Sequence, residues 1–201
     1  MRCTINQAPG ALTAHEIHQI MQAHDLDQLP PSTVQAPGGP AVRRPYRSSS
    51  GGPIDQPRLV LNRLRARLAA ITNQTPAQME PVQLLAYGPG QKYGLHHDQP
   101  QAGPAQQRFL ETGGPRIISA VVALTDDHQG GGLLFPDLDQ VVHPRVGYAT
   151  WWHNDDRSAR HQALTVTAGL RVVLVLFIRA GKYTGAADYE LGTRSMAAGG
   201  S

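Results

Sequence analysis

The chain has 201 residues, a formal net charge of +3 and 40% apolar residues, enough for one domain with a sizeable core. No run of five or more Lys or Arg occurs, so charge gives no support to nucleic-acid or membrane-surface binding. The single cysteine, Cys3, excludes an intramolecular disulfide and a cysteine-built zinc centre.

The opening "MRCTINQAPGALTAHE" has no apolar signal-peptide core, and the longest apolar run, "LRVVLVLFI", is too short to span a bilayer as a helix. A soluble, cytoplasmic protein is therefore expected, with no membrane or nucleic-acid partner. In chain order, Thr13 and Glu16 form a capping box before Ile17, Ile20 and Met21 recur at helical spacing. Residues 29–53, rich in Pro, Gly and Ser, read as a long loop with one short strand. "PRLVLNRLRARLAAI" puts Val60, Leu61, Leu64 and Leu68 on one stripe with arginines opposite, an amphipathic helix. Thr75, Pro76 and Gln78 then supply an N-cap, a first-turn proline and a box partner.

From "VQLLAYG" onward the signals are β. "RIISAVVAL" is a strand, "TDDHQGGGLLFP" a turn into the next, "DQVVHPRVGYATWW" further strand material, and "HQALTVTAGLRVVLVLFIRA" two strands about Thr167–Gly169. The expected layout is two helices beside an antiparallel sheet or roll. It forms one domain over 1–183, with long loops at 29–53 and 99–116 and a flexible tail at 184–201.

"YGLHHDQP" carries the chemistry. Side chains alternate along a strand, so His96 and Asp98 face one way and His97 the other. A His-x-Asp pair offers one imidazole nitrogen and one carboxylate oxygen to a common point. A second histidine, from among His128, His143, His153 and His161, would complete the two-histidine, one-carboxylate set typical of non-haem Fe(II) oxygenases. Arg171 opens "RVVLVLFI", a strand apolar on both faces, with no acid nearby in the strand. A guanidinium there needs an anionic partner, and a ligand carboxylate would serve.

With these residues in view, the chain resembles the prolyl 4-hydroxylase-like branch of the 2-oxoglutarate- and Fe(II)-dependent dioxygenases. The resemblance runs from about residue 10 to residue 180. It rests on "YRSSSGG", on the run from "RLRARLAAI" through "YGPGQKYGLHHD", on "VVALTDDHQGGGLLFP", on "VVHPRVGYATWW", and on "DRSARHQALTVTAGLR". It implies a double-stranded β-helix (jelly roll), α+β and mainly β, with N-terminal helices on one sheet. It selects His161, which keeps the family's ten-residue step to a basic residue, as the ligand that joins His96 and Asp98. Arg171, assisted by Tyr87, would bind the far carboxylate of 2-oxoglutarate, and Tyr93 would line the substrate channel.

Trp152 and Arg116 are further candidate substrate contacts. Arg43, Arg44, Arg47 and Arg108 read mainly as solvated surface charge. The implied cofactors are Fe(II), 2-oxoglutarate and O2, with room for ascorbate. The implied reaction hydroxylates an unactivated C–H bond of a peptidyl residue, proline by resemblance, and converts 2-oxoglutarate to succinate. The alternatives are the same chemistry on a free amino acid or natural-product intermediate, and a non-catalytic jelly-roll metal-binding or sensor domain. Oligomeric state is left open.

Overall fold

The computed structural model describes residues 2–36, 39–42, 45–99 and 104–185. Strand β1 (Ile5–Ala8) precedes helix α1 (Ala14–Gln22), the short strands β2 (Val34–Ala36), β3 (Gly39–Ala41) and β4 (Ser50–Pro53), and helix α2 (Arg58–Thr72). Then come β5 (Gln83–Tyr87), β6 (Tyr93–His96), helix α3 (Pro104–Glu111), β7 (Arg116–Ala123), β8 (Gln129–Gly130) and β9 (Leu133–Phe135). The last strands are β10 (Gln140–Val142), β11 (Ala149–His153), β12 (His161–Ala163), β13 (Val166–Ala168) and β14 (Arg171–Arg179).

Six strands form one antiparallel sheet in the order β1-β11-β7-β14-β5-β4, and four form a second in the order β10-β9-β12-β6. The larger sheet is apolar on both faces because both are covered. Val172, Leu174, Leu176 and Ile178 of β14 point out to a core shared with α1 and α2, where Ile20, Leu64 and Leu68 are fully buried. Val173 points in, with Leu85, Val121, Leu133, Phe135 and Trp152, toward the smaller sheet. This is the jelly-roll architecture expected, with N-terminal helices on one sheet, and the space between the sheets is where a site can be built.

Both N-terminal helices follow their sequence signals. Thr13 Oγ1 accepts from Glu16 N–H while Glu16 Oε2 accepts from Thr13 N–H, a complete capping box. Glu16 then reaches across to α2, accepting from Arg67 at 2.6 and 3.1 Å. These bonds, opposed by burial and aided by Thr13, pull the Glu16 carboxyl down to about 2. Helix α2 ends on Asn73 in the left-handed region, a residue that adopts it at low cost.

Two expectations are corrected. The 29–53 segment holds three strands, β2 to β4, and not one. Strand β4 pairs with β5 only because Gly51 has no side chain: a Cβ there would lie 2.0 Å from the Leu84 carbonyl oxygen, at a φ of +130°. A stretch so poor in β-formers reads as loop, since its pairing is set by the neighbouring strand. The 99–116 segment likewise contains α3, which begins at Pro104, whose fixed φ suits a first helical turn. Arg43, Arg44, the Arg108 side chain and residues 186–201 lie outside what is described. Among the described residues no helix is long and apolar enough to cross a membrane.

Leu64→Ala, at a fully buried site, is expected to lower unfolding free energy by about 2–5 kcal/mol, and Leu59→Ala, 63% exposed, by no more than about 0.5 kcal/mol, in urea titrations. Because the folded-state pKa of Glu16 is depressed, its stabilisation is complete above about 4.5 and is lost as pH falls toward 2. The stability gap between wild type and Glu16→Gln should therefore close over that interval.

Candidate metal centre

Strands β6 and β12 run antiparallel in a register that sets His96 directly opposite His161. Each histidine donates from Nδ1 to the backbone carbonyl two residues earlier, His96 to Gly94 at 2.8 Å and His161 to Ala159 at 3.0 Å. A carbonyl only accepts, so Nδ1 carries the hydrogen and the Nε2 lone pair is left free. Asp98 follows β6 by two residues and stands between the rings, Oδ1 3.4 Å from His96 Nε2 and Oδ2 3.8 Å from His161 Nε2. Ligand atoms of the three residues all lie within 4.8 Å of one another.

The electrostatics suit a cation. Burial opposes the charge of Asp98, but His161, His96 and Arg116 outweigh it and hold the carboxyl well below the usual range. Burial, reinforced by His96, pushes His161 down to about 4, so its imidazole is neutral at pH 7. One carboxylate and two imidazoles whose Nε2 atoms converge form a donor set for a divalent transition ion. His128, His143 and His153 lie outside this group. His97 also faces elsewhere, donating from Nε2 to the Asp156 carbonyl and accepting at Nδ1 from Gln99 N–H.

Arg171 lies on the inner face of β14, opposite Tyr87 in register and 3% exposed. Its guanidinium carbon sits 4.9 Å from the Tyr87 ring centre, and burial works against its charge while a bond with Tyr87 favours it. No carboxylate pairs with it among the described residues. Gly131 makes room for it, since a Cβ at that φ of +70° would stand 2.7 Å from Arg171 Cδ. Here, then, is a buried cation facing the roll interior without an anion, an arrangement that is costly unless a ligand completes it.

The two facing histidines are walled by rings. Tyr93 stacks on His96 with centroids 3.7 Å apart, and Arg47 lies over Tyr93 at 4.5 Å. Tyr46 meets Tyr93 edge-on at 5.7 Å. Phe135 and Trp152 pack on His161 at 5.4 and 4.7 Å. Trp152, expected at the substrate, is thus buried behind His161, and its Nε1 has no acceptor among the described residues.

Arg116 departs further from expectation. It turns inward onto Glu80, donating from Nε and NH2 at 2.6 and 2.7 Å, while NH1 donates to the Asp98 carbonyl at 3.1 Å. Arg179 donates to the same Glu80 at 2.6 Å. Arg116 therefore ties the Asp98 backbone to Glu80. Sequence reasoning missed Glu80, Ser119, Asn154 and Tyr46 as parts of the site. Glu80 had a usable signal, an acid just ahead of an apolar strand; Ser119 and Asn154 reach the site only across the gap between sheets, and Tyr46 through its pairing alongside β6.

Such a roll, with His-x-Asp on one strand and a histidine facing it on the next, is the class of fold and donor set used by mononuclear non-haem iron oxygenases. Residues 82–179 match the 2OG-Fe(II) oxygenase superfamily. The prolyl 4-hydroxylase subunit alpha-1 of Gallus gallus is 31% identical over 122 residues, 55% of this chain but 22% of that protein. A putative prolyl 4-hydroxylase of Acanthamoeba polyphaga mimivirus is 29% identical over 52% of this chain and 47% of its own length. The chain thus spans under half the length of these relatives.

Among solved structures, the viral collagen prolyl hydroxylase of Paramecium Bursaria Chlorella virus-1 in complex with 2OG matches with a TM-score of 0.66 at 20% identity, covering 88% of this chain and 96% of that one. A Pseudomonas putida prolyl-4-hydroxylase matches at 0.60 and 20%, over 87% and 92%. Residues 82–179 are thus a 2OG-Fe(II) oxygenase domain by sequence, and the chain is similar to prolyl 4-hydroxylases in sequence and fold.

Replacing Glu80 by Gln leaves Arg116 and Arg179 facing each other without a charge to balance them. It should cost about 3–5 kcal/mol in urea unfolding, against less than about 1 kcal/mol for Arg160→Ala, whose pair with Asp137 is partly exposed.

Proposed function

We propose that the chain is an Fe(II)- and 2-oxoglutarate-dependent hydroxylase. In this reading His96, Asp98 and His161 hold the iron, and Arg171, with Tyr87 beside it, holds the far carboxylate of 2-oxoglutarate. The observation that carries the proposal is the buried guanidinium of Arg171, without a carboxylate partner among the described residues, on the inner face of the same roll as a ready donor set. A metal-storage or sensor module has no need of such a cation, whereas a chelating diacid has one end for the metal and one for the arginine.

The residues present fit both groups. The Nδ1 bonds to Gly94 and Ala159 keep the Nε2 lone pairs aimed at the ion. Gly131 leaves the space in which the arginine side chain lies, and the Trp152 N–H is a buried donor awaiting an acceptor. Leu133, Phe135 and Val173 wall the interior with apolar surface and keep bulk water from it. When bound, iron with 2-oxoglutarate and O2 supplies the oxidising power to turn a substrate C–H bond into C–OH as the 2-oxo acid is decarboxylated to succinate. The protein's part is to bind, orient and shield.

The substrate we propose is a peptidyl residue, proline first, because relatives at about 30% identity bear the name prolyl 4-hydroxylase. One solved neighbour is described as a prolyl hydroxylase in complex with a hypoxia inducible factor peptide fragment, from Trichoplax adhaerens. Tyr93, half-buried against His96, would line the approach. The working domain would be 1–183, with the 29–53 and 99–116 segments framing the entrance, and a cytoplasmic location accords with the lone cysteine.

Anaerobic Fe(II) protein given 2-oxoglutarate should develop a visible metal-to-ligand charge-transfer band. Arg171→Ala should raise the 2-oxoglutarate concentration needed for it by at least about tenfold, and His161→Ala should abolish it. Absence of the band in wild type would remove the proposal. Succinate release with proline-containing peptides, compared with free amino acids, then tests the substrate class.

A further inference from the structure

Ser119 and Asn154 are buried polar residues from β7 and the end of β11, on the larger sheet, whereas the candidate ligands belong to the smaller one. Ser119 Oγ lies 2.5 Å from Asp98 Oδ2, and Asn154 Nδ2 lies 2.7 Å from Ser119 Oγ. The direction of these bonds follows from counting hydrogens. An ionised carboxylate only accepts, and a hydroxyl has one hydrogen, so Ser119 donates to Asp98. The Asn154 atom against Ser119 must then be a donor, which fixes the amide with its NH2 toward the serine. Its other end, Oδ1, is buried without a partner among the described residues, so the contact with Ser119 is the one that orients the amide there.

We infer that Asn154 and Ser119 form a positioning relay for the metal centre, an assignment that rests on the reading of His96, Asp98 and His161 as ligands. The relay ties the Asp98 carboxylate to the opposite sheet, engages Oδ2, and leaves Oδ1, 3.4 Å from His96 Nε2, as the oxygen free for the ion. It acts at the side chain, while Arg116 holds the carbonyl of the same residue from below. With both ends of Asp98 held, the carboxylate stands in its binding orientation before a metal arrives, and one oxygen is withheld from two-pronged chelation. Partners of this kind, bonded to ligand carboxylates, typically contribute about 10–100-fold to metal affinity.

The test uses the full chain and Mn(II) alone, with binding followed by loss of the free-ion EPR signal and by calorimetry. Ser119→Ala should weaken Mn(II) binding by about 10-fold or more, Ser119→Thr should hold it within about threefold, and Asn154→Ala should weaken it severalfold. Metal-free melting temperatures separate this from a general loss of fold. If Ser119→Ala does not fold, Asn154→Ala decides. Equal affinity in every folded Ala variant, with binding still lost in His161→Ala, overturns the relay and leaves the metal centre standing. Failure of the threonine to restore binding also overturns it, because the hydroxyl would then not be the active group. Wild type that binds no Mn(II) removes the centre and the relay together.

Discussion

The antiparallel pairing of β6 with β12 is the constraint on which the site rests. Because their register sets His96 and His161 face to face, two residues 65 positions apart present lone pairs to one point. A slip of one residue would turn one imidazole to the opposite face. The pairing is irregular between His161 and Ala163, so strand hydrogen bonds alone do not lock it. Side chains do: Phe135 and Trp152 close on the His161 ring, Tyr93 on the His96 ring, and Asp98 lies between them. Register and donor geometry are thus one structural fact.

Arg116, Arg171 and Arg179 show how the same residue type is used for different purposes. Arg116 and Arg179 share Glu80, and each also donates to backbone carbonyls, Asp98 for the first and Phe109 and Gly114 for the second. Their network is complete within the protein, and it fastens the segment that leaves Asp98 at both of its ends. Arg171 has an aromatic ring and, among the described residues, no carboxylate. Burial penalises the charges of Arg171 and Arg179 alike, and the two differ in the partners that offset it. The excess positive charge beside Asp98 also helps to keep that carboxyl ionised.

Much of the fold was legible because its signals are local. The capping box at Thr13 and Glu16, the Val60–Leu68 stripe and the apolar run of β14 follow from spacing along the chain, and the structure has all three. The strand parity that put Arg171 with Val173 on one face and Val172 with Leu174 on the other is equally local, and the two cores divide accordingly. Strand β4 and helix α3 were not legible. One depends on a gap at Gly51 that only β5 fills, and the other follows a Pro/Gly/Gln stretch of weak periodicity.

What the sequence determined by itself was the set of reactive groups and their parity: an imidazole and a carboxylate two residues apart, a distant histidine ten residues before an arginine, and strands able to bury both faces. These properties depend on neighbours in the chain, which a sequence states directly. Only tertiary structure decided how Arg116, Trp152, Glu80, Ser119 and Asn154 are used. Their roles depend on which groups the fold brings beside them, where a guanidinium finds either a buried glutamate or a tyrosine ring, and no local pattern encodes that distance.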